Sequence, residues 1–208
     1  NKATKSQYGK YGFSIDILIK KITDSIDDLW LSIFNIIKEL DKPYSQIIRR
    51  IYKENEIKIK IIPMFTEDEI IQGSFLKNLV VTAKISLAIL PYYPSLNKNL
   101  VLCGILLQNI GRIKSINDAI YSGYTDEGLL LGYKTLGLEI LQKSAASVKN
   151  IPKDMLLKLE HMILYSISDE INSQGAPQFP EALFIKYISN LDWEINHIFI
   201  GVQNDSKK

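Results

Sequence analysis

Apolar positions recur at three- and four-residue intervals along most of this chain. From Asp24 onward Ile26, Leu29, Trp30, Ile33, Ile37 and Leu40 form one stripe, with Asp27, Asp28, Lys38 and Glu39 off it. That period predicts an amphipathic helix. Asp41-Lys42-Pro43 ends it, and Pro43 can open a second helix whose inner face is Tyr44, Ile47, Ile48 and Ile51. Arg49, Arg50 and Lys53 face away as solvated charge. Phe75 to Leu90 predicts an apolar helix stopped by Pro91 and Pro94. Asn99 to Ile110 is apolar nearly all round, the pattern of a helix at the centre of a bundle, and Gly111 stands where a C-cap would. A loop over 114–127 follows, then helices over 128–146, 153–168 and 180–200, parted by Pro152 and by the Ser173–Pro180 loop.

One segment dissents. Ile57, Lys58, Ile59, Lys60 and Ile61 alternate as a half-buried strand does. No partner strand is evident nearby, and a lone strand leaves its backbone groups unpaired. The expected architecture is therefore all-α: an N-terminal arm over 1–22, a helical extension over 23–62, a main helical domain over 63–202 and a tail over 203–208.

Composition narrows the function classes. Lys and Arg number 25 against 23 Asp and Glu, a formal charge of +2 over 208 residues, so no global basic field advertises nucleic acid. The single Cys103 excludes a disulfide framework and a Cys-based zinc site, and points to a reducing compartment. The longest apolar run, Leu100 to Leu107, is far short of the roughly 18–20 residues that span a bilayer. No secretory signal opens the chain, so a cytoplasmic location without a membrane partner is expected. The first residue is Asn1 rather than Met, from which an upstream segment is expected. Gly123, Gly128 and Gly132 follow no strand of a βαβ unit and form no phosphate loop. Neither histidine sits in a recognisable nucleophile motif.

The oddity is the end of the most apolar helix, Leu106-Leu107-Gln108-Asn109-Ile110-Gly111-Arg112-Ile113. Two adjacent buried amides are costly unless both find hydrogen bonds. Around them, Tyr93-Pro94-Ser95-Leu96-Asn97-Lys98-Asn99-Leu100, Gly104-Ile105-Leu106-Leu107 and Ile110-Gly111-Arg112-Ile113 resemble the signature of HD-domain phosphohydrolases, and more narrowly of the YhaM-type 3′–5′ exoribonucleases. Asp41-Lys42-Pro43-Tyr44, Tyr124-Thr125-Asp126-Glu127-Gly128, Leu131-Gly132, Leu159-Glu160-His161-Met162, Pro180-Glu181-Ala182-Leu183 and Tyr187-Ile188-Ser189-Asn190-Leu191-Asp192 extend the match in order over about residues 20–197. The resemblance implies an HD-like helical bundle, with the end of a helix at 56–62. The N-terminal OB-fold of that family has no counterpart in this sequence.

The family's metal-binding positions are substituted. Its early His pair falls near Asp68-Glu69, its next His at Asn78, and its His-Asp doublet at Gln108-Asn109. The His of its Leu-Gly-His is Tyr133, its later His pair is Ser166-Ile167, and its last-helix Asp is Ser189. Only His161 survives among the motif histidines. An HD site needs several imidazoles and carboxylates to hold its metal, and neutral amides and hydroxyls add no charge. The resemblance with these departures implies a degenerate HD domain: no catalytic residue, no metal, no cofactor and no hydrolase activity. A relocated site from Asp68, Glu69, His161 and Asp169 is the alternative. His161 also reads as a structural histidine, His197 as a surface one, and Asp169 and Glu170 as loop acids.

The candidate ligand-binding residues are Arg112, at the family's Lys position beside the old doublet, with Lys114 and His161. A basic residue there could hold a phosphate without a metal. The expected function is a non-catalytic module binding single-stranded nucleic acid or a nucleotide, with Lys58, Lys60, Lys77, Lys84, Arg112 and Lys114 along one face. The alternatives are a protein-interaction or self-associating scaffold and a residual metal-dependent phosphodiesterase.

Overall fold

A computed structural model describes residues 20–64, 70–117, 123–165 and 176–205, the last six without side chains. Helix α1 (Ile26–Lys38) begins where Ser25 Oγ accepts from the Asp28 amide at 3.3 Å, with Asp27 and Asp28 complementing its N-terminal dipole. It is followed by α2 (Tyr44–Glu54) and α3 (Glu56–Ile61). Two two-residue strands, β1 (Lys20–Lys21) and β2 (Ile71–Gln72), pair in parallel with Lys20 opposite Ile71. Helix α4 (Ser74–Ile89) runs into a 3-10 turn over Leu90–Tyr92, and α5 (Lys98–Leu107) starts on Asn97, whose Oδ1 accepts from the Leu100 amide. A short α6 (Arg112–Ser115), α7 (Asp126–Ala145), α8 (Lys153–Tyr165) and α9 (Pro180–Asp205) complete the all-α bundle.

The alternating Ile-Lys segment is helical. Ile59 turns into the core while Ile57 is 77% exposed, and the Lys60 ammonium lies 5.2 Å from the Trp30 ring centroid with Glu56 and Asp27 as counter-ions. The segment thus uses one isoleucine for burial and one lysine stem as cover, which a helix permits and a strand does not require.

Helix α5 is the axis of the bundle. Every residue from Leu100 to Leu107 is buried, and α2, α4, α8 and α9 all pack on it. Tyr52 of α2, fully buried, donates to the Leu106 carbonyl at 2.9 Å. Asn99 and Asp41 exchange two hydrogen bonds that tie the start of α5 to the corner between α1 and α2. One hydrophobic cluster joins Leu29 of α1 to Ile188 of α9, so the segments 23–62 and 63–202 share a core. By length and composition alone Ser74–Tyr92 could cross a bilayer; here it packs against α1, α3, α5 and α9 as a core helix.

Gly111 is not the left-handed C-cap that its position suggests. Its φ of −63° is helical, and its role is proximity: a Cβ would lie 1.8 Å from the Tyr133 carbonyl oxygen and 2.5 Å from the Gly137 nitrogen. Missing side-chain bulk at Gly111 is what lets α6 lie against α7. Helix α7 is bent at Gly132, whose φ of 72° and ψ of 155° suit glycine alone.

Candidate functional site

The end of α5, the start of α6 and the facing turns of α4, α7 and α9 bring five of the substituted ligand positions to one region. Gln108 and Asn109 are 2% and 3% exposed. Gln108 Nε2 donates to Ser189 Oγ on α9, and Asn78 Nδ2 on α4 donates to Asp192 Oδ2, one turn further along α9. Tyr133 on α7 lies under the Arg112 guanidinium, 4.8 Å from Cζ to ring centroid. Arg112 Nη1 donates to the Met64 carbonyl at 2.8 Å. Ser166 and Ile167 lie outside the described residues, as do Asp68, Glu69, Asp169 and Glu170.

Among the described residues, several buried polar atoms here have no hydrogen-bond partner: Gln108 Oε1, Asn109 Oδ1, Arg112 Nε and Ser115 Oγ. Arg112 is the most consequential. Burial lowers its pKa from the ordinary arginine value, and among the described residues the ionisable groups that act on it are the phenols of Tyr133 and Tyr124. Burial likewise pushes the Tyr133 phenol up, while Arg112 draws it back. Among the described residues, the site therefore holds a largely buried positive charge with no carboxylate beside it.

These side chains do not fit a tightly held divalent metal. Among the described residues no three His, Cys, Asp or Glu side chains converge. The amides at 78 and 108 are spent on Asp192 and Ser189, the free amide oxygens carry no charge, and a guanidinium occupies the region where a second cation would be repelled.

The other candidates separate from this cluster. Lys114 Nζ lies 3.0 Å from Glu139 on the outer face of α7. Lys60 is held by Glu56 and Asp27, and Lys77 by Asp24 at 2.7 Å. Three of the six basic residues expected along one binding face thus carry their own counter-ions, which weakens that face's field. His161 Nε2 accepts from the Gln178 amide at 3.2 Å, and its ring packs between Tyr165 and Phe179. Asp192, which stood in the sequence only as part of a motif match, is 8% exposed and faces a cleft. Burial raises its carboxyl pKa, against the lowering effect of Asn78, Asn196 and Lys77.

The His161 arrangement carries a prediction. Burial lowers its pKa from 6.5, so the unfolded chain takes up a proton that the folded chain resists. Stability should fall as the pH drops below 6.5, and the His161→Phe variant should lose that part of the decline. Thermal melts across this range check it; equal steepness in both proteins would refute it.

Comparison with known proteins places this geometry in context. The chain is 29% identical over 187 residues to the 3′-5′ exoribonuclease YhaM of Bacillus subtilis, covering 88% of this chain and 59% of that protein. It is 30% identical over 176 residues to the YhaM of a Geobacillus species and 31% over 178 to that of Shouchella clausii, each match covering 83% of this chain and 54% of the relative. The chain thus spans a little over half the length of these relatives. No family model and no solved structure matches it. The chain is related to the YhaM exoribonucleases over most of its own length.

This kinship overturns the expectation of a chain outside the enzymes, since the proteins it resembles are named as exoribonucleases. A reactive site is defined by whichever donors converge, and substitutions at inherited positions do not count those supplied from elsewhere.

Proposed function

We propose, from its kinship with the YhaM exoribonucleases, that this chain is an RNA-handling domain of HD type that grips a phosphate of single-stranded RNA with Arg112. The observation that carries this reading is the buried guanidinium of Arg112, which among the described residues has phenols but no carboxylate for company and an Nε–H without an acceptor. A buried charge without a counter-ion is costly, and a phosphate supplies both the missing charge and the missing acceptor. Arginine's planar fork suits a phosphate better than a point charge would. Tyr133, stacked beneath it, holds the guanidinium in place.

The test is fluorescence anisotropy of a short labelled single-stranded RNA, with the strand's length read on a gel in Mn²⁺ and in EDTA. Binding is expected at low salt, with a log–log salt slope of about −0.7 for each phosphate neutralised. Because Lys60, Lys77 and Lys114 are already paired, the slope should be shallow, near that of one or two phosphates. Absence of binding at any salt concentration would refute the reading. Shortening of the strand with Mn²⁺ would show hydrolysis at a site built from other donors.

A second reading has its own observation. Helix α9 exposes Leu183, Tyr187, Leu191, Ile195 and Ile198, and a groove of about 430 Å³ runs between Tyr187 and Leu183 on α9 and Ile89, Tyr93 and Leu96. Such a face suits a protein contact. Light scattering over a concentration series distinguishes self-association from a monomer.

A further inference from the structure

A cleft of about 360 Å³ opens beside the Asn78–Asp192 pair, at the small end of the range of about 300–1,000 Å³ for small-molecule sites. Met64, Ile71 and Val81 supply apolar walls, and Asn78, Asp192 and Asn196 a polar one. Met64 also joins the cleft to the Arg112 cluster, since its carbonyl accepts from Arg112 while its side of the chain lines the cleft. Ser74 fixes this wall by accepting from the Met64 amide and donating to the Ile71 carbonyl, both at 2.7 Å.

The hydrogen-bonding character of the polar wall is lopsided. Asn78 spends an amide hydrogen on the Asp192 carboxylate, and Asn196 spends one on the Asp192 carbonyl at 2.7 Å. Both amide oxygens are left without a donor among the described residues, beside a carboxylate that can accept further bonds. Two lysines, Lys21 and Lys77, also line the cleft, and the Lys77 ammonium is drawn toward Asp24. A ligand that engages the Asn78–Asp192–Asn196 wall must therefore bring hydrogens on that edge and flat apolar faces to lie along Met64, Ile71 and Val81. It must also be about the size of one nucleoside.

We propose that this cleft is a nucleobase pocket selective for guanine, with the Asp192 carboxylate accepting from the N1–H and the exocyclic amine of the base. Guanine is the standard base whose Watson–Crick edge sets two donors side by side. Adenine and cytosine place a ring acceptor beside their amine, which would face the carboxylate, and uracil flanks its single N–H with carbonyls. Enzymes and RNA-binding modules read a splayed base in this way, by edge hydrogen bonds and by packing on its faces. The inference rests on the RNA reading for the origin of the base, but the pocket is distinct from the phosphate grip.

The experiment is calorimetric titration of the full chain with the monophosphates of guanosine, inosine, adenosine, cytidine and uridine. Guanosine monophosphate should bind at least roughly tenfold more tightly than the other four, the scale of one lost hydrogen bond to a charged acceptor. Inosine, lacking only the exocyclic amine, isolates that bond. The Asp192→Asn variant should lose the preference while keeping the acceptor for Asn78, and its melting temperature shows that it folds. Val81→Trp, which fills the cleft from α4, should abolish nucleotide selectivity and leave the binding of oligouridylate intact. Equal affinity for all five nucleotides overturns the pocket, as does a guanine preference that survives Asp192→Asn. Oligouridylate binding without any guanine preference sinks the pocket and leaves the phosphate reading standing. Selective guanosine monophosphate binding by a chain that ignores RNA does the reverse.

Discussion

Gly111→Ala is expected to cost more than about 3 kcal/mol of stability, enough to leave a domain of ordinary marginal stability largely unfolded. The new Cβ would sit 1.8 Å from the Tyr133 carbonyl oxygen and 2.5 Å from the Gly137 nitrogen. Both neighbours are backbone atoms of α7, so no rotamer change can relieve the overlap; α6 and α7 must move apart. Tyr133 would then leave its place beneath Arg112, and the phosphate grip would loosen with the core. Gly104 supplies the control. It too is buried, but a Cβ there meets side-chain ends, Ile185 Cδ1 and Met162 Sδ, which can rotate. Gly104→Ala should cost about 1–2 kcal/mol. Urea unfolding midpoints of the two variants decide the matter. A Gly111→Ala protein as stable as Gly104→Ala would mean that the close contact of α6 with α7 is not a determinant of the fold.

Gly111 also shows where sequence reasoning stops. The helices were legible because their inner faces repeat at 3.6 residues, and Leu100–Leu107 announced a central helix by being apolar all round. A glycine after such a helix resembles a cap, and nothing local reveals that another backbone crosses at that point. The Ile-Lys alternation was ambiguous on its own for a related reason, although the resemblance placed the end of a helix there: the solvent side of α3 tolerates Ile57, and the stem of Lys60 is used as cover for Trp30. Charge pairing is the least legible of all. Lys77 meets Asp24 and Lys114 meets Glu139 across long stretches of chain, so residues that read as a basic face are neutralised by partners that the spacing could not name.

Of the candidate site, Arg112 was visible through the resemblance, because it stands at the family's Lys position beside the substituted His-Asp doublet. Asp192 was not. Its partner Asn78 is 114 residues away, and an acid on the last helix looks like solvated charge until the helix is placed. The available signal was weak: an Asp four residues before Asn196, on a helix whose Ile185 and Ile188 are buried. Kinship was legible from motif order alone, whereas the conclusion drawn from the missing ligands was not secure. Substitution at inherited positions is a statement about those positions, and activity is a property of the assembled site.

Arg112→Met is the variant expected to divide stability from function most sharply. In a structural role the guanidinium would act through its bond to the Met64 carbonyl and its contact with Tyr133, together worth roughly 1–3 kcal/mol. Against that stands the cost of keeping a charge in a buried site with no carboxylate among the described residues, which methionine removes while filling similar volume. The two contributions oppose each other, so the stability change should stay within about 1 kcal/mol. RNA affinity should nevertheless drop at least roughly tenfold at low salt, the scale of one charge-assisted bond, and the salt slope should become shallower by about 0.7. Arg112→Lys keeps the charge and loses the fork, so it should retain the salt slope with weaker binding. Guanine preference should persist in both variants, because Asp192 is untouched. A variant that loses stability but binds RNA as before would make Arg112 a structural strut and remove the observation on which the phosphate grip rests. Retained stability with lost affinity is the pattern of a charge kept buried at a cost because a ligand uses it.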